Sequence, residues 1–225
     1  IACNDGILLK PIKDKGVNCL GVDPASNIVN VAKEKGLNVI NDFFGEKIGK
    51  KILDEYGSAE IIVANAVFAH VDDMNDITSG VSKVLSDSGT FIFEVHHLAD
   101  IIEEMQYDSF YHEHFSYLSL HTVRFIFEAV GLRIWDVEQI STHGGSLRVF
   151  GCHNDDVRQN TPDVEALYAK EVRRGLQCLD TYKDFQVQAN RLKNDLLDFL
   201  IEKKRAGKKV AAYGAAAKGN TLLNY

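Results

Sequence analysis

Several features are missing from this sequence, and each absence narrows what the chain can be. No run of about 18 apolar residues occurs, so no membrane-spanning helix is expected. The four cysteines, Cys3, Cys19, Cys152 and Cys178, are dispersed and form no CxxC pair. That pattern speaks against a disulfide frame or a structural zinc site and predicts reduced thiols in a cytoplasmic protein, an expectation that the lack of a leader-like stretch supports. Positive charge is not in excess. A net charge of −7 argues against a nucleic-acid surface but leaves room for an anionic small substrate met by local positive groups. There is no internal repeat and no low-complexity tract. The first glycine turn, Cys3-Asn4-Asp5-Gly6-Ile7-Leu8, lacks the further glycines of GxGxxG. The loop from Gly214 to Gly219 has Asn220 where GxxxxGK[ST] needs lysine, so ATP hydrolysis is not supported.

What is present reads as alternating strands and helices. Apolar runs at residues 1–3, 17–23, 38–40, 60–65 and 90–95 predict strands. Helical spacing fills residues 25–35, 46–56 and 71–85. This alternation predicts a mostly parallel sheet covered on both faces, with ligands outside the carboxyl ends of its strands. Ser119 then reads as the N-cap of a helix to Val130. Residues 132–139 and 147–152 read as an antiparallel pair closing the sheet. Thr161-Pro162 predicts a helix start, cap followed by proline, and helix continues in two segments to about residue 206. A further strand is expected over 208–213, leading into the Gly214 loop and a helix. The expected division is 1–155 and 156–225, the second part opening another α/β unit. Residues at both ends read as cut elements, so the sequence is expected to continue on both sides.

The chemistry concentrates at Tyr111-His112-Glu113-His114, inside an aromatic run from Tyr107 to Tyr117. Four residues able to move protons or bind a metal stand in a row. A metal site needs three or four ligands with a supporting second shell, and no other pair has ligand spacing, so no metal is expected. Acid–base work fits better: a histidine can accept a proton at neutral pH, Glu113 can orient it, and Tyr111 can donate to a developing oxyanion. His70 follows the fourth strand, where it would overlook a cofactor. Its plainer reading is a helix-start histidine bonded to backbone.

The turn Asp5-Gly6 with Asp23, at the end of the second strand, suits a ribose-bearing cofactor. Asp5 would repel a pyrophosphate but tolerate a sulfonium, which favours adenosylmethionine over a nicotinamide dinucleotide. Asp42 and Phe43 offer a carboxylate for an adenine amino group and an aromatic wall, and Asn65 ends the fourth strand on the same rim. His143-Gly144-Gly145-Ser146-Leu147-Arg148 is either a plain glycine hairpin or a substrate-holding loop using Gly145, Ser146 and His143. Lys218 could meet a phosphate, or its loop could be only a packing turn.

Taken together, Ile1 to Gly6, Gly21-Val22-Asp23-Pro24, Asp42-Phe43-Phe44, Ala64 to His70, Tyr111 to His114 and His143 to Arg148 resemble the S-adenosylmethionine-dependent sugar C-methyltransferases. The resemblance runs along essentially the whole chain. It implies a class I methyltransferase-like (Rossmann-like) fold and methylation of a carbon next to the ketone of a nucleotide-linked keto-deoxy sugar, of dTDP type. It places the base at His114, with Glu113, Tyr111 and His70 around it; from the residues, Tyr111 or His70 is expected to stabilise the enolate oxygen. The family also carries an N-terminal zinc module, absent here, and a C-terminal nucleotide-sugar unit that stops at Tyr225. The rival readings are an NAD(P)-dependent oxidoreductase, with Asp23 on the ribose, and a non-catalytic sensor of sugar nucleotide or adenosylmethionine.

Overall fold

The short apolar runs and the amphipathic stretches between them form the expected alternation. A computed structural model describes residues 1–214 and 217–225. Helices α1 (Leu9–Asp14), α2 (Ser26–Glu34) and α3 (Glu46–Tyr56) alternate with strands β1 (Gly21–Val22), β2 (Val39–Ile40) and β3 (Ala59–Asn65). Helix α4 (Met74–Val84) then leads straight into the long strand β4 (Leu85–His96). β1 pairs with β2, and β3 with β4, both in parallel.

Residues 1–3, expected as a strand, are not a regular one, because Ala2 has a φ of 51°. They nevertheless occupy the gap between the two sheets. The Cys3 N–H donates to the Val22 carbonyl at 3.2 Å, and the amino terminus donates to the Val63 carbonyl at 2.8 Å. The strand ends therefore share one rim.

After β4 the chain makes a short helix α5 (Leu98–Glu103) and a tight 3-10 turn at Tyr107–Ser109, neither of which the residue pattern announces. Helix α6 (Leu120–Glu128) begins as expected, the Ser119 hydroxyl accepting from the Thr122 N–H at 3.2 Å. Strands β5 (Leu132–Ile140) and β6 (Ser146–His153) form the expected antiparallel pair, and β6 also lies antiparallel to β4. The order in the larger sheet is β3-β4-β6-β5.

The core is aromatic at its centre. Phe68, Phe91, Phe93 and Phe127 are almost fully buried, with ring centroids 4.6 to 5.9 Å apart. Burying each such ring contributes roughly 1.5–3 kcal/mol. Alternation along β4 sends Phe91, Phe93 and Val95 inward, and His97, the first residue after the strand, is buried as well.

Helix α7 (Pro162–Arg173) starts at Thr161-Pro162 as expected, but Thr161 caps nothing; its hydroxyl bonds the Asp136 carboxylate instead. α8 (Phe185–Arg205) is the second helical segment, and α9 (Ala217–Asn224) closes the chain. The strand expected over 208–213 is exposed coil. A strand needs a ladder partner, and among the described residues none lies beside it. The glycine loop from Gly214 crosses residues 215 and 216, which lie outside the described residues. Among the described residues, no helix is long and apolar enough to cross a membrane.

Candidate active site

Two groups of residues follow the carboxyl ends of the strands. The first follows residues 1–3, β1, β2 and β3. Gly6 turns the chain with a φ of +80°, and a Cβ there would sit 2.0 Å from Leu37 Cδ1. Both the backbone angle and the packing therefore require glycine. Asp23 is buried, and its carboxylate joins two loops: Oδ2 accepts the Asn4 N–H at 3.0 Å and Oδ1 the Ala25 N–H at 2.9 Å. Asp42 is exposed and accepts the Phe43 N–H at 2.8 Å, and the Phe43 ring is 77% exposed. Asn65, also exposed, ends β3 opposite Glu94. Asp5 behaves differently from the expectation. It pairs with Lys35 at 2.7 Å, and that ammonium holds its carboxyl below the usual range.

The second group is a cluster of histidines. His114 is buried, on the turn after the 3-10 segment. Its Nδ1 lies 3.0 Å from the Ser109 carbonyl, which can only accept, so Nδ1 carries the proton. In the neutral ring Nε2 is then the lone-pair nitrogen, and it accepts the Tyr111 O–H at 2.8 Å. Burial lowers the His114 pKa and raises that of Tyr111. The ring is thus a neutral proton acceptor and the phenol a protonated donor at pH 7.

His70 is fixed by its Nδ1–H donating to the Glu113 carbonyl at 2.8 Å, while the Phe115 N–H donates to the Ala69 carbonyl at 2.7 Å. These two bonds dock the segment after β3 onto the Tyr111–Phe115 turn and bring the His70 and His114 rings to 4.9 Å. Glu113 thus contributes its backbone. Its carboxylate is exposed and makes no hydrogen bond to His114, so the orienting partner expected of Glu113 is the Ser109 carbonyl instead. His112 is exposed.

Sequence reasoning left one residue out of the site. The His96 ring, at the end of β4, lies 5.4 Å from His114 and 5.0 Å from His143. Burial first, then the nearby Lys218, His143, His114 and His70, push its pKa down to about 4. Its position at a strand's carboxyl end was the available signal.

The loop from Thr142 to Gly144 brings His143 against His96. His143 sits in the left-handed region with a φ of 56° and ψ of 21°. The Ser146 hydroxyl, expected to face a substrate, is buried and donates to the Thr142 carbonyl at 2.9 Å, closing its own loop. Gly145 is likewise turned inward, its carbonyl accepting the His97 N–H at 3.2 Å. Lys218, in the first turn of α9, reaches the His143 carbonyl at 3.4 Å. Among the described residues, no three His, Cys, Asp or Glu side chains converge as a metal site would require.

Residues 1–137 match a family described as a methyltransferase domain, and residues 141–225 match a C-methyltransferase C-terminal domain. The chain is 34% identical over 220 residues to the C-methyltransferase NovU of Streptomyces niveus, covering 98% of this chain and 52% of that protein. It therefore spans about half the length of that curated relative. Among solved structures it is similar to the PH0226 protein of Pyrococcus horikoshii OT3, with TM-score 0.54, 16% identity, and 68% of this chain and 79% of that one covered. A SAM-dependent methyltransferase from Archaeoglobus fulgidus matches with TM-score 0.52 and 15% identity, over 67% of this chain and 82% of that one. These two likenesses concern the fold, an α/β class I methyltransferase. The match over residues 1–137, more than half of the chain, carries the assignment: the chain belongs to the methyltransferase-domain family.

Proposed function

We propose that the protein methylates a carbon next to the ketone of a nucleotide-linked keto-deoxy sugar, of dTDP type, with His114 as the base. The observation that carries this reading is the state of His114: a neutral ring with Nδ1–H held by Ser109, its lone pair on Nε2, and a protonated Tyr111 beside it. That is the arrangement needed to remove a proton from carbon and steady the oxygen that gains charge.

The rim suits adenosylmethionine. Phe43 presents a bare aromatic face beside the exposed Asp42 carboxylate, and Gly6 lets the backbone come close. In this reading Phe43 and Asp42 take the adenine, Asp23 the ribose, and the Asn4-Asp5-Gly6 turn with Asn65 the charged end. Asp5, already paired with Lys35, acts there through its charge. Bound there, the cofactor would supply an electrophilic methyl group carried on a cationic sulfur that can depart as a neutral thioether.

The chain's own residues do the rest. A substrate displaces Tyr111 from Nε2; Nε2 takes the proton, and the electron pair of the broken C–H bond moves onto the enolate. The Ser109 carbonyl steadies the imidazolium through Nδ1–H. Tyr111 or His70 donates to the enolate oxygen. His96, with its pKa near 4, stays neutral and adds a donor or acceptor without charge. His143, Gly145, Ser146 and Lys218 belong to the substrate side, Gly145 and Ser146 by shaping the loop. Residues 1–155 form the cofactor unit and 156–225 the connection to the substrate unit. The four unpaired cysteines fit a reducing cytoplasm.

The test is proton exchange. The protein is incubated in deuterated water with a dTDP-linked 4-keto-6-deoxyhexose, and the carbon next to the ketone is followed by NMR. The reading expects deuterium there with the native chain and none with His114→Ala. No exchange with the native chain, cofactor bound, would make the protein a binder rather than a catalyst.

A further inference from the structure

His96 and His97 leave β4 on opposite sides. His96 borders the histidine cluster, whereas His97 is fully buried and faces carboxylates at both ring nitrogens. Nδ1 lies 3.1 Å from Asp100 Oδ2 and Nε2 lies 2.9 Å from Glu171 Oε1. Glu171, in α7, is also fully buried. Its Oε1 accepts the Leu120 N–H at 2.7 Å and its Oε2 the His121 N–H at 3.0 Å, in the first turn of α6. The Glu171 carboxylate thus joins α7 to the start of α6 and to the His97 ring.

A buried ion network of this kind is weak as a source of stability, because apolar residues of the same volume commonly do as well. What it does well is fix geometry, and its contacts converge on one place. A Cβ added to Gly145 would lie 2.5 Å from Asp100 Oδ2, so that carboxylate rests directly on the glycine. The His97 N–H donates to the Gly145 carbonyl at 3.2 Å. The Gln106 amide donates to the Gly144 carbonyl at 2.6 Å. The loop carrying His143 therefore lies on the 97–106 segment, and that segment is anchored on Glu171 of α7. Arg174, paired with Glu103, fastens the same two elements a second time.

We propose that Glu171, acting through His97 and Asp100, is a positioning residue for the 142–146 loop and hence for His143, whose ring packs against His96. The catalytic consequence rests on the reading of the histidine cluster as the active site; the mechanical one does not.

Glu171→Gln keeps the shape but turns an amide N–H₂ toward a donor, and Asp100→Ala, at the less buried end, removes the contact with Gly145. Each variant is compared with the native chain by amide hydrogen exchange of a peptide spanning 141–147, by cofactor titration, and by kcat and KM for methyl transfer. Exchange at 142–146 is expected to rise at least tenfold and kcat to fall at least tenfold, with KM for the cofactor within twofold. Unchanged exchange in a folded variant, or a loosened loop with unchanged kcat, would overturn the proposal. If Glu171→Gln does not fold, Asp100→Ala decides alone. A native chain that transfers no methyl group would refute the activity assigned above, and the exchange comparison would still decide whether the network holds the loop.

Discussion

Asp23 holds the fold together at the place where the cofactor is expected, and the two roles can be separated. Its carboxylate, 5% exposed, accepts backbone N–H groups from Asn4 and Ala25, one on each oxygen. Asp23→Ala strands both donors, and a stranded donor costs about 1–3 kcal/mol. Asn4 is exposed, so water recovers part of that loss. A destabilisation of about 2–4 kcal/mol is expected, a large share of a typical total of about 5–15 kcal/mol. Asp23→Asn keeps one acceptor oxygen and is expected to lose about 1–2 kcal/mol. Urea unfolding followed by circular dichroism measures both, and cofactor titration of the Asn variant then reports the ribose contact with the fold largely preserved. A loss under about 1 kcal/mol for the Ala variant would refute the idea that this carboxylate ties the two loops together.

Four further outcomes are expected. Gly6→Ala combines a left-handed backbone, about 1–2 kcal/mol, with overpacking against Leu37, about 1–3 kcal/mol, so its urea midpoint falls markedly. Partial recovery when Leu37 is also shortened would confirm the packing share, and none would exclude it. Phe43→Ala, at an exposed position, leaves unfolding within about 0.5 kcal/mol but weakens cofactor binding by about 1–3 kcal/mol, the value of stacking a base on an aromatic ring; equal affinity would remove Phe43 from the site. Because burial lowers the His114 pKa, the acid limb of kcat/KM should lie below pH 6.5. His96, at about 4 when folded and about 6.5 when unfolded, binds more protons in the unfolded chain between those values. Stability should therefore be full above 6.5 and fall as pH drops toward 4. In His96→Gln that dependence should be shallower, and an unchanged slope would contradict the burial of His96.

The parts of the fold that depend on local pattern were legible in the residues. α3 follows its amphipathic stretch, α6 starts at the Ser119 cap, and β5 and β6 pair across the glycine loop. The short helix α5 was not legible, being only six residues long and lying just before the aromatic run that dominates the pattern. The strand read over 208–213 has the right composition and no neighbour, and composition alone cannot supply one. At the site, residue types pointed to His114, Tyr111 and His70. The partner orienting His114 is a backbone carbonyl, which no side chain announces. Ser146 looked like a ligand because a hydroxyl follows two glycines, yet that hydroxyl is used to close the turn. His97 and Glu171 are 74 positions apart, and only the fold brings them together. The alternation of β4, continued one residue past the strand, did carry a hint, since it puts His97 on the same inward side as Phe91, Phe93 and Val95, where a histidine needs partners.

The central claim is that His114 removes the proton. Transfer of a labelled methyl group from adenosylmethionine to a dTDP-linked keto sugar, measured beside cofactor binding, tests it directly. His114→Ala is predicted to lower turnover by about 10²–10⁴-fold, the usual contribution of a positioned base, while cofactor affinity stays within about twofold. Turnover close to that of the native chain, with the cofactor bound equally well, would contradict the account.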